Sequence, residues 1–173
     1  MPFKIFGAAL AAAACAALGF YFAWRESFRI QDLRELKKAL LILASEIEYA
    51  AAPLPEAMAN LAPRVEKPVS LIFSDFSRKL SNSGGETAYR MWESAVAEHK
   101  SKSCLADEDI EALTAFGKTL GYLDKRMQLN AIAFANRYID DKTAELQLSC
   151  DRNRRMYRSL GLIGGVLVAV VLW

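Results

Sequence analysis

The chain has 173 residues, 53% of them apolar and 24% charged, with 22 Lys+Arg against 20 Asp+Glu for a net charge of +2. That length allows one domain of ordinary size and is too short for two buried cores together with membrane anchors. Near-balanced charge without a stacking motif offers nucleic acid no electrostatic footprint, so that class of partner is set aside.

The first 24 residues hold an uncharged run of 20, from Ile5 to Trp24. About 20 apolar helical residues span a hydrocarbon core of roughly 30 Å. The run is longer than the apolar core of a cleaved signal peptide, about 7–15 residues. It ends in Phe20, Tyr21, Phe22 and Trp24, which suit a membrane interface. Residues 1–24 are therefore expected to form a retained transmembrane anchor.

Residues 25–158 carry every charge except Lys4. Leu33, Leu36, Leu40, Leu43 and Ile47 recur at spacings of three and four with polar residues between them, a helical stripe running to near Tyr49. Pro53 and Pro55 break it, and Pro55 opens a short helix through Leu61 that Pro63 ends. Pro68 opens a third helix with Val69, Ile72, Phe73, Phe76 and Leu80 apolar, closed by the loop Ser81–Gly85. A fourth runs from about Glu86 to Lys100 with Tyr89, Trp92, Val96 and His99 on one side. The fifth starts with Asp107 as N-cap, carries Ile110, Leu113, Phe116 and Leu120, and ends on Gly121 as C-cap. The sixth begins near Asp124 with Leu123, Met127, Ala131, Phe134 and Tyr138 along one side, and no later proline interrupts it. No stretch alternates as a strand does. The expected fold is all-α, a bundle of about six helices flanked by N- and C-terminal transmembrane helices.

At the C-terminus, Leu160–Trp173 is an uncharged run of 14 residues, about 21 Å of helix. Counting back to Met156 adds Arg158, which can snorkel to the headgroups while Trp173 marks the far interface. Residues 159–173 are expected to be a membrane segment. Gly161 and Gly165, four apart, would allow it to pack closely against a second copy, so a homo-oligomer is compatible with the sequence.

Lys and Arg beside membrane spans bias those flanks toward the cytoplasm. Arg25, Arg29, Arg34, Lys37 and Lys38 follow the first span, and Arg152, Arg154, Arg155 and Arg158 precede the second. The domain is expected to be cytoplasmic. An odd number of cysteines without paired spacing, Cys15, Cys104 and Cys150, agrees with a reducing compartment.

The search for chemistry returns no catalytic, cofactor-binding or metal residues. His99 is a lone histidine on an apolar side, and zinc needs about four ligands in a tight constellation. Gly84 and Gly85 lack the Lys and Ser/Thr of a phosphate loop. Glu46 and Glu48, two apart, point to different sides of a helix. No enzyme is expected. Packing does not account for Glu46, which lies off the leucine stripe beside Pro53–Pro55, nor for Asp124 and Arg126 at the start of the last helix.

Leu33-Arg34-x-Leu36 running to Leu43-x-x-Glu46-Ile47-x-Tyr49, then Pro53-Leu54-Pro55-Glu56-Ala57, then Phe116-Gly117-x-x-Leu120-Gly121-x-x-Asp124, together with the two apolar ends, resemble the stage III sporulation protein AB family of endospore-forming bacteria. The resemblance covers almost the whole chain. It implies a channel apparatus component in the mother-cell membrane facing the forespore, with a domain like that of the inner-membrane F proteins of type II secretion and type IV pilus machines. It implies as partners the sporulation ATPase, stage III sporulation protein AA, and other channel subunits, with no cofactor. Glu46, Tyr49, Glu56 and Asp124 fall within the matching stretches and, with Arg126, are the expected partner-binding residues. The expected function is a non-enzymatic scaffold coupling the ATPase to membrane subunits. The alternative is a membrane-anchored helical domain on the outer face with a structural or binding role.

Overall fold

The computed structural model describes residues 25–50, 53–82, 84–121 and 124–172, with side chains placed among these except at 50, 151 and 153–172. All regular structure in the described residues is helical. Six α-helices follow in order: α1 over residues 25–45, α2 Leu54–Leu61, α3 Val69–Ser81, α4 Ala88–His99, α5 Asp107–Gly117 and α6 Lys125–Leu172. Residues Arg29–Thr143 form one compact unit. The rest of the chain, described over 25–28 and 144–172, forms a second.

The stripe on α1 is core, with Leu33, Leu36, Leu40 and Leu43 buried. Ile47 is only half-buried, because the backbone widens into a π-helical turn at Glu46–Ala50 and carries the stripe out of phase. Pro53 and Pro55 frame the first turn of α2, which buries Ala57, Met58 and Leu61. Within the bundle α2 packs on α3, α3 on α4 and α4 on α5.

At the centre lies Trp92, wholly buried, with Phe73, Phe76 and Phe116 around it at centroid distances of 5.4, 5.1 and 6.0 Å. Its indole N–H donates to the Leu113 carbonyl at 2.8 Å. A buried tryptophan needs such a partner for its polar tip.

Three sequence expectations are corrected. Asp107 is not the N-cap of α5: Ala106 is, and Asp109 accepts the Ala106 N–H at 2.9 Å from within the first turn. Gly121 is not a left-handed C-cap either. The helix stops at Gly117 and the chain leaves through tighter bonds, Thr119 N–H to Phe116 O and Leu120 N–H to Gly117 O. Positive φ falls instead to Gly85, at 97° in the loop after α3.

The third concerns α6. Its buried positions in the Arg29–Thr143 unit are Ile132 and Ile139, whereas Met127 and Phe134 are 50% and 76% exposed. Residues seven apart return to nearly one face of a helix, and α6 has two such apolar series. Of the expected stripe, Met127 and Phe134 are exposed, Ala131 and Tyr138 are half-buried, and Leu123 lies outside the described residues.

Among the described residues no helix is long and apolar enough to cross a membrane. The anchor expected over residues 1–24 lies outside the described residues. Residues 159–172 of the expected C-terminal segment continue α6 as helix.

Candidate functional site

The five residues singled out as partner-binding candidates sit at helix ends. Glu46 opens the π-turn after α1, and its carboxylate lies 3.8 Å from Arg64. Tyr49, in the same turn, is 80% exposed. The Lys125 ammonium donates to the carbonyl of Glu48 at 2.6 Å, which brings the start of α6 beside that turn. Asp124 and Arg126 flank Lys125, both exposed, and Asp124 accepts the Arg126 N–H at 2.9 Å in the manner of a cap. Glu56 is exposed in the first turn of α2, and among the described residues no hydrogen bond or ion pair links it to the other four. Tyr49, Asp124 and Arg126 therefore share one polar end, Glu46 is partly taken up by Arg64, and Glu56 stands apart.

Two polar assemblies carry no signature in the sequence. In the first, Asp109 is 1% exposed and accepts four hydrogen bonds. Arg29 of α1 supplies two, Nε at 2.7 Å and Nη2 at 2.9 Å. Tyr138 of α6 donates its hydroxyl at 3.0 Å, and the Ala106 N–H completes the set. A carboxylate offers about four lone-pair sites. With all four engaged, Asp109 has none left for a substrate or a metal and works as a clamp joining α1, α5 and α6.

Glu108 extends the clamp outward to Arg29 and Lys142, whose bonds hold its carboxyl below the usual range. The Asp109 bond raises the Arg29 pKa further, and burial followed by the Asp109 charge pushes the Tyr138 phenol up. The triplet Asp107-Glu108-Asp109 was legible as dipole-favoured acid at a helix start. Its partner Arg29 was legible only as a basic flank.

In the second assembly Asp75, Glu98 and His99 bring ligand-type atoms within 4.8 Å of one another. The Lys79 ammonium already lies among them, 2.9 Å from Asp75, 2.6 Å from Glu98 and 2.8 Å from the Ser94 hydroxyl. Burial alone would raise the Asp75 pKa, but the bonds from Lys79 and Arg78 outweigh it and hold it low. Lys79 thus supplies the cation this acid pair needs, and His99 Nε2 lies 3.8 Å from Asp75 at its edge.

Asp32 is the third buried acid. It accepts the Cys104 N–H at 2.7 Å, tying α1 to the loop before α5, and burial raises its pKa. Beside the first assembly runs an apolar groove of about 250 Å³ between α1, α5 and α6, lined by Leu36, Leu40, Phe116 and Phe134 among others.

The family model described as stage III sporulation protein AB matches residues 4–173. Stage III sporulation protein AB of Bacillus subtilis (strain 168) is 31% identical over 169 residues, 98% of this chain and 98% of that protein. A solved structure of a stage III sporulation protein AB (SpoIIIAB) superposes with a TM-score of 0.66 at 31% identity, covering 72% of this chain and 97% of that one.

Proposed function

The chain belongs to the stage III sporulation protein AB family and so has a role in sporulation; from that premise we propose that it is a membrane-fixed scaffold coupling a cytoplasmic ATPase, stage III sporulation protein AA, to other subunits of a secretion-like channel. In this reading the apolar ends are membrane anchors in the mother cell and the helical domain faces the cytoplasm. The carrying observation is that α1 and α6, the helices whose sequences lead toward those ends, are fastened to each other inside the domain. Asp109 bonds Arg29 and Tyr138, Lys37 reaches Asp140 at 2.5 Å, and Lys125 reaches the Glu48 carbonyl. A push delivered to the domain is then carried by both helices together and not lost in sliding between them. Such work needs no reacting group, only a partner surface and stiffness.

The surface proposed for the ATPase is the polar end holding Tyr49, Asp124 and Arg126, with Glu56 on α2. The test measures ATPase binding by the full chain in detergent, wild type against Tyr49→Ala/Arg126→Glu, with melting curves in parallel. All these side chains are exposed, so folding should persist, while affinity falls at least about tenfold, a loss of about 1.4 kcal/mol. Wild-type affinity in the double variant would remove the surface from consideration.

A further inference from the structure

The groove between α5 and α6 is walled by alanines, Ala112 and Ala115 on α5 and Ala131 and Ala135 on α6, which leaves an apolar slot of about 250 Å³ where larger side chains would close the seam. Phe134 stands at its edge, 76% exposed. At about 100° of turn per residue, Phe134 and Ala131 lie about 60° apart around α6, and Met127, 50% exposed, falls between them. The chain thus offers an aromatic knob and, beside it, a slot that would take one. We propose that two copies pair in parallel through this face, about a two-fold axis that runs along α6 on the Met127 line. The parallel sense rests on the proposed anchoring of the apolar ends: such an axis leaves the direction of each α6 unchanged, so both copies send their C-terminal runs into the same bilayer.

A two-fold contact needs a surface complementary to itself, and an axis between knob and slot provides one. Phe134 of each copy enters the slot of the other, and the two Met127 side chains meet on the axis. Charge selects a second copy over other apolar occupants. Around α6, Arg137 lies on the far side of Phe134 from the slot. On α5, Glu111 lies one turn before Ala115, on the far side of the slot from Phe134. Both are exposed, and among the described residues neither side chain makes a hydrogen bond or ion pair. α5 and α6 are tied in antiparallel sense by Asp109 to Tyr138 at 3.0 Å and Glu108 to Lys142 at 3.0 Å. That register sets Glu111 and Arg137 at nearly the same level. An axis along α6 preserves level and exchanges the two sides, so Arg137 of each copy faces Glu111 of the other, twice per pair. Two chains fixed in one bilayer have only a lateral search to make, which raises their effective concentration. None of these residues belongs to the surface proposed for the ATPase.

The test uses the full chain in phosphatidylcholine/phosphatidylglycerol vesicles, its native cysteines replaced by serine and Met127→Cys introduced. Flotation of the vesicles reads anchoring, and a short bismaleimide reads pairing as a covalent dimer. The chain should float with the lipid and cross-link, and an excess of chain without the cysteine should suppress the dimer. Phe134→Ser should lower the dimer yield at least about tenfold and leave the melting temperature unchanged, while Phe134→Leu, which keeps an apolar knob, should retain most of it. Arg137→Glu or Glu111→Arg alone should each lower the yield by about three- to tenfold. The decisive arm mixes these two single variants, one carrying a tag that changes its size. Their mixed dimer should return to wild-type yield, since both cross-pairs are then complementary.

A chain that floats but gives no covalent dimer overturns the pairing and leaves the anchoring standing. A chain that stays out of the lipid overturns the anchoring and the parallel pairing with it. Dimer that survives Phe134→Ser overturns the knob-in-slot contact, and mixed variants that fail to recover overturn the register. Cross-linking of Met127→Cys to Asp141→Cys chains in preference to itself would mean that the copies run antiparallel and overturns the proposal. Another protein or a lipophilic probe held in the slot, with no dimer, overturns it equally.

Discussion

Gly117 is where a single methyl group decides how closely α5 approaches α4. A Cβ there would stand 2.0 Å from Trp92 Cδ1 and 2.7 Å from Cγ. The indole cannot yield, being held by three phenylalanines and by the Leu113 carbonyl. Alanine is the better helix former by about 1 kcal/mol, yet Gly117→Ala is expected to lower stability by about 1–3 kcal/mol through overpacking. A denaturant midpoint equal to or above wild type would show that the indole has room to move. Gly117 was visible in the sequence as a helical glycine; Trp92, its reason, was not, because nothing in a sequence marks which distant ring a glycine must admit. The buried acids give opposite responses to pH. Asp75 has a folded pKa below its unfolded one, so its contribution is complete above the usual carboxylate range, near about 4, and is lost as pH falls through the folded value. Asp32 has a raised folded pKa, so its charged form opposes folding at neutral pH and the opposition fades as pH falls through that value. Asp32→Asn keeps an acceptor for the Cys104 N–H and drops the charge. Its unfolding midpoint is expected above wild type at pH 7, with the difference shrinking toward pH ~4; a lower midpoint at pH 7 would show that the carboxylate itself is needed.

Among the elements, α6 separates what a sequence can reveal from what it cannot. The prolines at 53, 55, 63 and 68 and the Ser81–Gly85 loop mark breaks by local chemistry, and the helices between them lie where periodicity puts them. The face of α6 could not be read that way. Met127 and Phe134 form one apolar series and Ile132 and Ile139 another, and only the position of α1 and α5 selects the second for burial. The π-turn was hidden for a related reason: a widened turn leaves no mark in apolar spacing until the stripe has already drifted at Ile47. Of the candidate site, the sequence singles out residues that packing does not explain, but the contact that joins two of its segments, Lys125 to the Glu48 carbonyl, was not legible, since a backbone acceptor has no sequence signature. The two faces should respond differently to truncation. Ile139→Ala is expected to cost about 2–4 kcal/mol as a core deletion, whereas Phe134→Ala should stay within about 0.5 kcal/mol, measured by urea unfolding at low protein concentration. Equal losses at both positions would mean that both faces are core. On α1, Leu40→Asp, a charge placed at a wholly buried position, should cost several times the loss of a surface change, about 3–5 kcal/mol.

For the whole molecule, the proposed reading, with both apolar ends as membrane anchors, sets the domain on the cytoplasmic side because of where its basic residues lie. Arg25, Arg29, Arg34, Lys37 and Lys38 lie on the domain side of the first apolar run, with Lys4 alone beyond it, and four arginines lie on the domain side of the second. Beside a membrane span, such flanks are biased toward the cytoplasm. In the folded domain the Arg29 guanidinium is bound to Asp109 and Glu108. An exported domain would have to carry both flanks across, against the rule at each end. The full chain bearing Ala97→Cys, with its native cysteines replaced by serine, places one thiol at an exposed position of α4, remote in sequence from either apolar run. With the domain inside, a membrane-impermeant maleimide added to intact sporulating cells should leave that thiol unmodified. The same reagent should label it fully once the membrane is broken, which controls for access. Labelling in intact cells equal to that after lysis would put the domain on the outer face, and the ATPase could then not be its partner.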